Sequence, residues 1–344
     1  MSDAFQAALE NTFTLKVLLV ILVSASYGLF VGAIPGLTAT MAVALMVPFT
    51  FFLDPVSGLA AIVTMEACCI FAGDIPTTLM RIPGTPSSAA YVDDAYCLTQ
   101  QGRHQQALGV SLVYSVVGGL VGALVLIFLA PQLARIAFEF SSYEYFWLCV
   151  LGLSCAAVVS RGSIAKGLIA LSIGLLLSCV GLGSTHSVPR LTFGIDELIT
   201  GINFIPAMIG LFGLAEVLRN FAKINPELSS PDRATRTDRS TVTGNWLSRG
   251  VAEVFGGLIP RLKKSGSRIA SSSAIGSAIG MLPGAGADIA AWVSYAVSKR
   301  RSTPEEKEQY GKGSLDGIAD ATTANNASLA GAWIPALVLG IPGD

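Results

Sequence analysis

Long apolar runs, separated by short polar stretches, dominate the hydrophobic pattern of this 344-residue chain. A helix needs ~17 to 25 mostly apolar residues to cross the hydrocarbon core of a bilayer. The pattern therefore predicts an all-α polytopic membrane protein with membrane lipid around its helices. The runs of about this length are 15–33, 107–130, 145–159, 162–183, 201–218 and 317–339.

Proline and glycine are concentrated at a few places within this apolar sequence. Proline removes a backbone donor and glycine permits positive φ, so each place should interrupt a helix. Unwound backbone at membrane depth is tolerated only where protein buries it or where it lines a wet cavity. We therefore expect discontinuous helices that meet at one cavity. The segments are GAIPGLTA (32–39), RIPGTPSS (81–88), GMLPGAGA (280–287) and GIPGD (340–344).

These segments recur in order along the chain. GAIPGLTA aligns with GMLPGAGA at a shift of 248 residues, from Gly32 to Gly280. IPTTLMRIPG aligns with IPALVLGIPG at a shift of 259 residues, from Ile75 to Ile334. Transporters with repeated halves place substrate and coupling ions near the bilayer midplane, at discontinuous helices from each half. We predict duplicated, inverted repeats.

GMLPGAGA has the pattern of a re-entrant hairpin tip. The apolar stretches on either side, 271–282 and 287–298, are each too short to span a bilayer alone. Basic residues flank both outer ends, so the positive-inside rule places both in the cytoplasm. The equivalent element around Pro35 should enter from the opposite side. The flanking residues are Lys263, Lys264, Arg268, Lys299, Arg300 and Arg301.

Charge and rare residue types narrow the function. Only 13% of the residues are charged and the net charge is −1, which gives no reason to expect nucleic-acid binding. The polar stretch 221–267 is rich in Lys and Arg and is predicted to be a cytoplasmic linker. It separates a first repeat with scaffold helices, 1–220, from the start of a second repeat, 268–344.

Catalytic chemistry has little support in the sequence. The six cysteines lie mostly in apolar runs without metal-like spacing, and the chain has two histidines. We recognise no nucleophile–base pairing, metal-ligand cluster or phosphate loop. The prediction is a protein that is not an enzyme and has no cofactor, with Na⁺ as a candidate coupling ion.

The second proline-glycine segment predicts an anion site. Thr85 stands at an N-cap position, Pro86 suits the first helical position, and Ser87 and Ser88 add hydroxyls. A helix start presents unpaired N–H groups and a positive dipole end to a carboxylate. Ordinary capping is the alternative role. Further candidate substrate contacts are Thr38 and the glycines Gly36, Gly84, Gly284, Gly286 and Gly343.

The glycines at these breaks have two possible roles: they form unwound tips or they allow close helix packing. Arg81 is a candidate for binding a substrate carboxylate, and the alternative is an ion pair with Asp74 or Glu66. Asp93 and Asp94 are expected in a solvated cytoplasmic loop.

Asn325 and Asn326 are candidates for binding substrate, and Asn326 also for binding the coupling cation, because carbonyl oxygens suit hard cations. Hydrogen bonding between helices is the alternative. Asp288 is a candidate cation or proton site, or a helix-start cap. Asp344 occupies the position equivalent to Thr85 and is a further cation candidate.

A family resemblance is carried by the strings GAIPGL, IPGTPSSAAYVDDAY, GMLPGAGADIAAWVSY and ANNASLAGAWIPALVLGIPG. In this order, from about Val31 to the last residue, they resemble the large membrane subunit (TctA-like) of the tripartite tricarboxylate transporter family. The resemblance implies a permease of the bacterial inner membrane that works with a small four-helix membrane subunit and a periplasmic solute-binding protein. It also implies cation-coupled, elevator-like uptake of di- or tricarboxylates. The alternatives are a passive anion channel and an intramembrane enzyme.

Two departures from the family pattern accompany this resemblance. Arg81 stands where members commonly have a small or amide residue before the first Ile-Pro-Gly. Members are also usually longer, whereas this chain ends directly after its second Ile-Pro-Gly. We therefore expect the second repeat to be truncated and to lack its scaffold helices.

Overall fold

A computed structural model gives the fold of most of the chain. Two of the predicted apolar runs, 145–159 and 201–218, fall largely outside the residues that it describes. The described residues are 2–34, 37–137, 139–141, 143–144, 146–147, 150, 164–182, 188–202, 206–207, 210, 214, 218, 255, 258–282 and 286–340.

The first helices are α1 (Ser2–Thr12), α2 (Leu15–Gly32), α3 (Ala39–Thr50), α4 (Pro55–Ala72) and α5 (Asp74–Met80). The side chains of Thr14, Thr38 and Asp54 accept backbone N–H groups from the first turns of α2, α3 and α4. These caps satisfy donors that a helix start leaves open, and so fix where each helix begins. Lys16, which donates to the exposed Asp54 carboxylate, holds the pKa of that carboxyl below its usual range.

The middle of the chain contains a 3-10 turn (Ser88–Ala90), α6 (Val92–Gln100), α7 (His104–Ala137) and α8 (Ile164–Ser178). After them come β1 (Gly181–Leu182), β2 (Pro189–Arg190) and a 3-10 turn (Asp196–Leu198). The two strands pair antiparallel, with Gly181 opposite Arg190. These are the only strands within the described ranges, and all other elements there are helical. Apart from this short strand pair, the all-α prediction is confirmed for the described ranges.

The last helices are α9 (Leu258–Lys264), α10 (Gly266–Gly280), α11 (Gly286–Arg301), α12 (Pro304–Lys307) and α13 (Leu315–Leu339). The short segment 281–285 joins α10 to α11, and these two helices pack against each other. They have 15 and 16 residues, so the predicted pair of short helices is present. Its entry into a membrane stays a prediction.

Helix α13 is the centre of the described fold. It packs against α7, α10 and α11, and its residues from Gly317 to Leu329 are all buried. At Gly118 of α7, an added Cβ would lie 2.2 Å from the carbonyl oxygen of Thr323. Only a residue without a side chain allows α7 to approach α13 this closely.

Among the described residues, three helical segments are long and apolar enough to cross a membrane. Two of them confirm predicted apolar runs. The third joins α4 to α5, and the run pattern missed it because Glu66 and Asp74 interrupt its apolar sequence. Conversely, α13, which covers the predicted run 317–339, is not among the three, because polar residues fill its buried length and lower its hydropathy; its entry into a membrane stays a prediction. The three segments are Leu15–Gly32, Pro55–Met80 and His104–Arg135.

Glycines also bring α2 into direct backbone contact with α4. An added Cβ at Gly28 would lie 2.3 Å from the carbonyl oxygen of Met65. One helical turn later, an added Cβ at Gly32 would lie 2.2 Å from the carbonyl oxygen of Cys69. Real Cβ atoms do not come so close, so both positions require glycine.

The same contact recurs between α10 and α13. An added Cβ at Gly276 would lie 2.2 Å from the carbonyl oxygen of Ala324, and one at Gly280 would lie 2.3 Å from that of Ser328. These glycines follow Gly28 and Gly32 by the 248-residue shift read from the sequence. Their partners follow Met65 and Cys69 by the 259-residue shift. The α2–α4 and α10–α13 pairs thus use equivalent positions.

The two Ile-Pro-Gly segments also begin alike. Arg81 caps the end of α5 with φ 57°, and the Arg81 N–H donates to the carbonyl oxygen of Pro76. Gly340 caps the end of α13 with φ 67°, and the Gly340 N–H donates to the carbonyl oxygen of Pro335. The four predicted breaks all coincide with helix ends, since α2 ends at Gly32 and α10 at Gly280.

Candidate functional site

The first Ile-Pro-Gly segment forms a loop packed tightly against the junction of α4 and α5. At Gly84, an added Cβ would lie 2.3 Å from the carbonyl oxygen of Gly73. The Thr77 hydroxyl donates to Gly73 O over 2.7 Å and accepts the Gly84 N–H over 3.1 Å. Gly84 therefore serves close backbone packing, one of its two predicted roles.

The hydroxyls that follow Gly84 bond to one another and to the loop backbone. Thr85 Oγ1 accepts the Ser88 N–H over 3.2 Å, and Ser88 Oγ accepts the Thr85 N–H over 3.1 Å. These reciprocal bonds close a tight turn. The predicted α-helix start at Thr85 is therefore wrong: a 3-10 turn begins at Ser88, and α6 begins only at Val92.

This loop meets the second half of the chain in the interior of the fold. Asn325 of α13 donates from Nδ2 to Ser87 Oγ over 3.0 Å, and both residues are buried. Ser87 Oγ also lies 2.9 Å from the Thr85 hydroxyl. Trp292 of α11 donates from Nε1 to Pro86 O over 3.2 Å. The structure thus brings Thr85, Ser87 and Asn325 together, as one site would require.

Several buried polar atoms of α10 and α13, which pack against each other, lack a hydrogen-bond partner within the described part of the chain. They include Asn325 Oδ1 and the hydroxyls of Ser273, Ser277 and Ser328. Each such atom costs ~1 to 3 kcal/mol, which makes it a signal for a ligand or water. The sequence analysis missed the three serines and Trp292. The spacing of Ser273 and Ser277, one turn apart on a short helix, was the available signal.

Asn326 faces another direction from Asn325. Its Nδ2 donates to Thr322 O over 3.2 Å within α13. Its Cβ lies 4.0 Å from the position of a Cβ added at Gly119 of α7. Successive residues on a helix point about 100° apart, so the structure separates two asparagines that the sequence analysis grouped.

Arg81 lies on the surface at the end of α5. Its Nη2 lies 2.7 Å from Asp93 Oδ1, and its guanidinium carbon lies 5.9 Å from the ring centre of Tyr96. The Arg81 side chain is 61% exposed. The predicted partner was Asp74 or Glu66, and the structure corrects this to Asp93, because the left-handed end of α5 turns the side chain toward α6.

Asp94 is buried, so the prediction of a solvated loop is wrong for this residue. One carboxylate oxygen accepts the N–H groups of Gly311, Gly313 and Ser314 over 2.7 to 2.9 Å. The other accepts the Tyr295 hydroxyl over 2.6 Å. Asp94, in the first turn of α6, thus binds α6 to the connection before α13 and to α11.

Two further acidic residues lie near the loop. Asp74, buried in the first turn of α5, accepts the Tyr91 hydroxyl over 2.6 Å and also the Ser111 hydroxyl of α7. Asp288 is half-buried in the first turn of α11 and acts electrostatically on Tyr91. Both of its predicted roles stay open. In the described ranges, no group of three His, Cys, Asp or Glu could hold a metal ion.

The remaining predicted site residues lie at other helix ends or outside the description. Thr38 caps α3 by accepting the Met41 N–H over 3.2 Å. Gly286 begins α11 with φ 71°, a conformation that favours glycine. The predicted residues outside the described ranges are Gly36, Gly284, Gly343 and Asp344.

Helices that end within apolar sequence are a feature of membrane transport proteins, and three described helical segments are long and apolar enough to cross a membrane, in agreement with that class. Residues 18–344 match the model of the tripartite tricarboxylate transporter TctA family. The chain belongs to this family, as its motifs predicted.

Two proteins from Agrobacterium vitis are similar to the chain. The first is an uncharacterised 52.8 kDa protein in the TAR-I ttuC' 3' region, 35% identical over 315 residues, which is 92% of this chain and 59% of that protein. The second, from the TAR-II ttuC' 3' region, is 42% identical over 67 residues, or 20% of this chain and 27% of that protein. The chain thus spans less than two thirds of either relative. No solved structure matches it.

Proposed function

We propose that the protein is the large permease subunit of a binding-protein-dependent secondary transporter for di- and tricarboxylates. Family membership supports transport as the function. The observation that carries the proposal is the bond from Asn325 to Ser87, since it joins the first Ile-Pro-Gly loop to the helix that precedes the second. A substrate-sized anion at this junction would meet hydroxyl groups from the first half and the Asn325 amide from the second.

The glycine contacts support a duplicated architecture. The α2–α4 and α10–α13 pairs meet at positions related by two fixed shifts, and α5 and α13 end in the same left-handed cap. In our proposal the two units are inverted in the bilayer, and the α10–α11 pair is a re-entrant hairpin with its basic ends in the cytoplasm. An elevator-like movement of such a unit would carry the site across the membrane.

A coupling cation would balance the charge of the substrate. The buried Oδ1 of Asn325 has no hydrogen-bond partner among the described residues, and hard cations such as Na⁺ prefer oxygen ligands. Asp288 stays a candidate because it lies at the start of α11, near the same loop. Asn326 is a weaker candidate since it faces α7.

The proposed partners are a small four-helix membrane subunit and a periplasmic solute-binding protein, in the inner membrane of a bacterium. The test is to reconstitute the complete protein with both partners in liposomes and to follow uptake of labelled citrate. We expect accumulation above the equilibrium distribution when a Na⁺ gradient is imposed. Uptake that only equilibrates would indicate a passive anion channel, and uptake indifferent to Na⁺ would remove the sodium coupling.

A further inference from the structure

A polar cavity of about 260 Å³ lies at the basic end of the α10–α11 pair, away from the Ser87–Asn325 junction. It reaches from the exposed Arg301 to the buried Asp320 of α13. All but one of its lining residues are polar, and serines are the most frequent. The lining residues are Ser267, Arg268, Ser271, Ser272, Ser294, Val297, Ser298, Arg301, Ser302, Glu306 and Asp320.

The inner charges of this cavity are already neutralised. Arg268 Nε donates to Asp320 over 3.0 Å, and its Nη1 donates to Asp316 over 2.6 Å. The third guanidinium nitrogen, Nη2, donates to Ser298 over 2.8 Å and to Tyr310 over 3.0 Å. The Asp320 carboxylate, at the buried end of the cavity, is therefore already paired with Arg268 and would attract an added cation only weakly.

Arg301 lies at the outer side of the cavity, and its charge is not neutralised in this way. Its guanidinium donates to the Ser271 hydroxyl, and among the described residues no carboxylate lies within ion-pairing distance of it. One oxygen of Glu306 accepts the Thr303 N–H at the start of α12. Lys299 and Arg300 add positive charge on the same turn. The charges of the lining sum to zero, with Arg268 and Arg301 against Asp320 and Glu306, but Arg301 is the lining cation that has no ion pair among the described residues, and it lies beside hydroxyl donors.

We propose that this cavity binds a small carboxylate anion, with Arg301 as its charge partner and Ser271 as a hydrogen-bond donor. A guanidinium is well suited to a carboxylate because it donates two parallel bonds. The cavity is smaller than the ~300 to 1,000 Å³ typical of pockets for drug-sized ligands, so it fits a small metabolite. The inference rests on the proposed function and adds to it a second anion site, on the side where substrate leaves.

The test uses the complete protein in inverted vesicles, with its native cysteines replaced and Ser271→Cys introduced. A membrane-impermeant maleimide reports access to the cavity in the presence of citrate, succinate, phosphate or choline chloride at equal ionic strength. We expect citrate or succinate to slow labelling. Glu305→Cys, on the exposed side of α12, is the matched control and should be labelled at the same rate with and without carboxylate.

Arg301→Gln should raise the half-protecting citrate concentration about tenfold, the effect of losing one charge-assisted contact. Arg300→Gln should leave this concentration unchanged. Arg301→Lys keeps the positive charge and should therefore retain part of the protection, which provides a second test if Arg301→Gln folds poorly. Protection by phosphate or choline alone, or none at all, overturns the proposal. Citrate uptake by the same protein is measured separately. Uptake without protection would refute only the proposed anion site in the cavity, and protection without uptake would refute only the proposed transport function.

Discussion

Neighbouring residues of this chain have very different environments, and Asp93 and Asp94 are the clearest pair. Asp93 makes an exposed ion pair with Arg81, whereas Asp94 is buried and accepts four hydrogen bonds from α11 and the connection before α13. Sequence reasoning could not separate them, because the partners of Asp94 lie more than 200 residues away and leave no local signal.

Asp94→Asn should lower the free energy of unfolding by about 2 kcal/mol, because an amide nitrogen replaces an acceptor of charge-assisted bonds. Thermal denaturation of the detergent-solubilised protein measures the effect. Asp93→Asn is the matched control and should cost at most about 1 kcal/mol, as expected for an exposed ion pair. Equal losses in the two variants would contradict the assignment.

Asn325→Ala separates a binding role from a structural one. Truncation removes the buried Oδ1, which has no hydrogen-bond partner among the described residues, but it also removes the bond from Nδ2 to Ser87, so the two effects should largely offset and the thermal midpoint should change little. Citrate uptake by the complete transporter should fall at least about tenfold. Thr322→Val alters another buried polar residue of α13. Within the described part of the chain its hydroxyl bonds only to its own helix, so this variant should keep normal uptake. A large loss of stability in Asn325→Ala would point to a packing role instead.

At the scale of helices, local signals were enough to predict where elements end. Proline and glycine interrupt helices through their own backbone chemistry, and the structure has helix ends at all four predicted breaks. Hydropathy was less reliable, because it measures the composition of a segment and not what surrounds it. It missed the α4–α5 segment, which contains acidic residues, and it gave no sign that the polar residues of α13 are enclosed by protein.

The repeated glycine contacts give a prediction about helix packing. Gly276→Ala should destabilise the protein by ~1 to 3 kcal/mol, because the new methyl would overlap the carbonyl oxygen of Ala324. Gly28→Ala should have a similar effect against Met65. At Gly174 in α8 an added Cβ meets nothing within 4 Å, so alanine there should stabilise by up to about 1 kcal/mol. Thermal midpoints of the three variants test this, and a harmless Gly276→Ala would count against direct backbone contact.

For the molecule as a whole, the first-half loop and the second-half helices are held together at several places. Ser87 bonds to Asn325, Pro86 accepts from Trp292, and Asp94 binds the segment before α13. No periodicity or motif in the sequence predicts such contacts, since each joins residues more than 200 positions apart. We infer that these parts form one body that moves as a unit in the proposed transport cycle.

A cross-link tests this inference. The thiol of Cys97 in α6 lies 2.9 Å from the carbonyl oxygen of Lys312, so Lys312→Cys should form a disulfide with it on mild oxidation. If both segments belong to one moving body, the cross-link should not slow citrate uptake. Peptide mass spectrometry measures its formation, and the Cys97→Ala, Lys312→Cys double variant is the control. Arrested uptake in the oxidised form alone would show that the segments move apart.

The polar character of α13 has a consequence for how the protein is made. Its buried length carries an aspartate, two asparagines and three hydroxyl residues, each of which resists transfer from the translocon into lipid. Glycine-lined surfaces on α7 and α10 match it closely. During biogenesis, α13 should therefore enter the bilayer only after α7 and α10 have done so, and it should insert while packed against them.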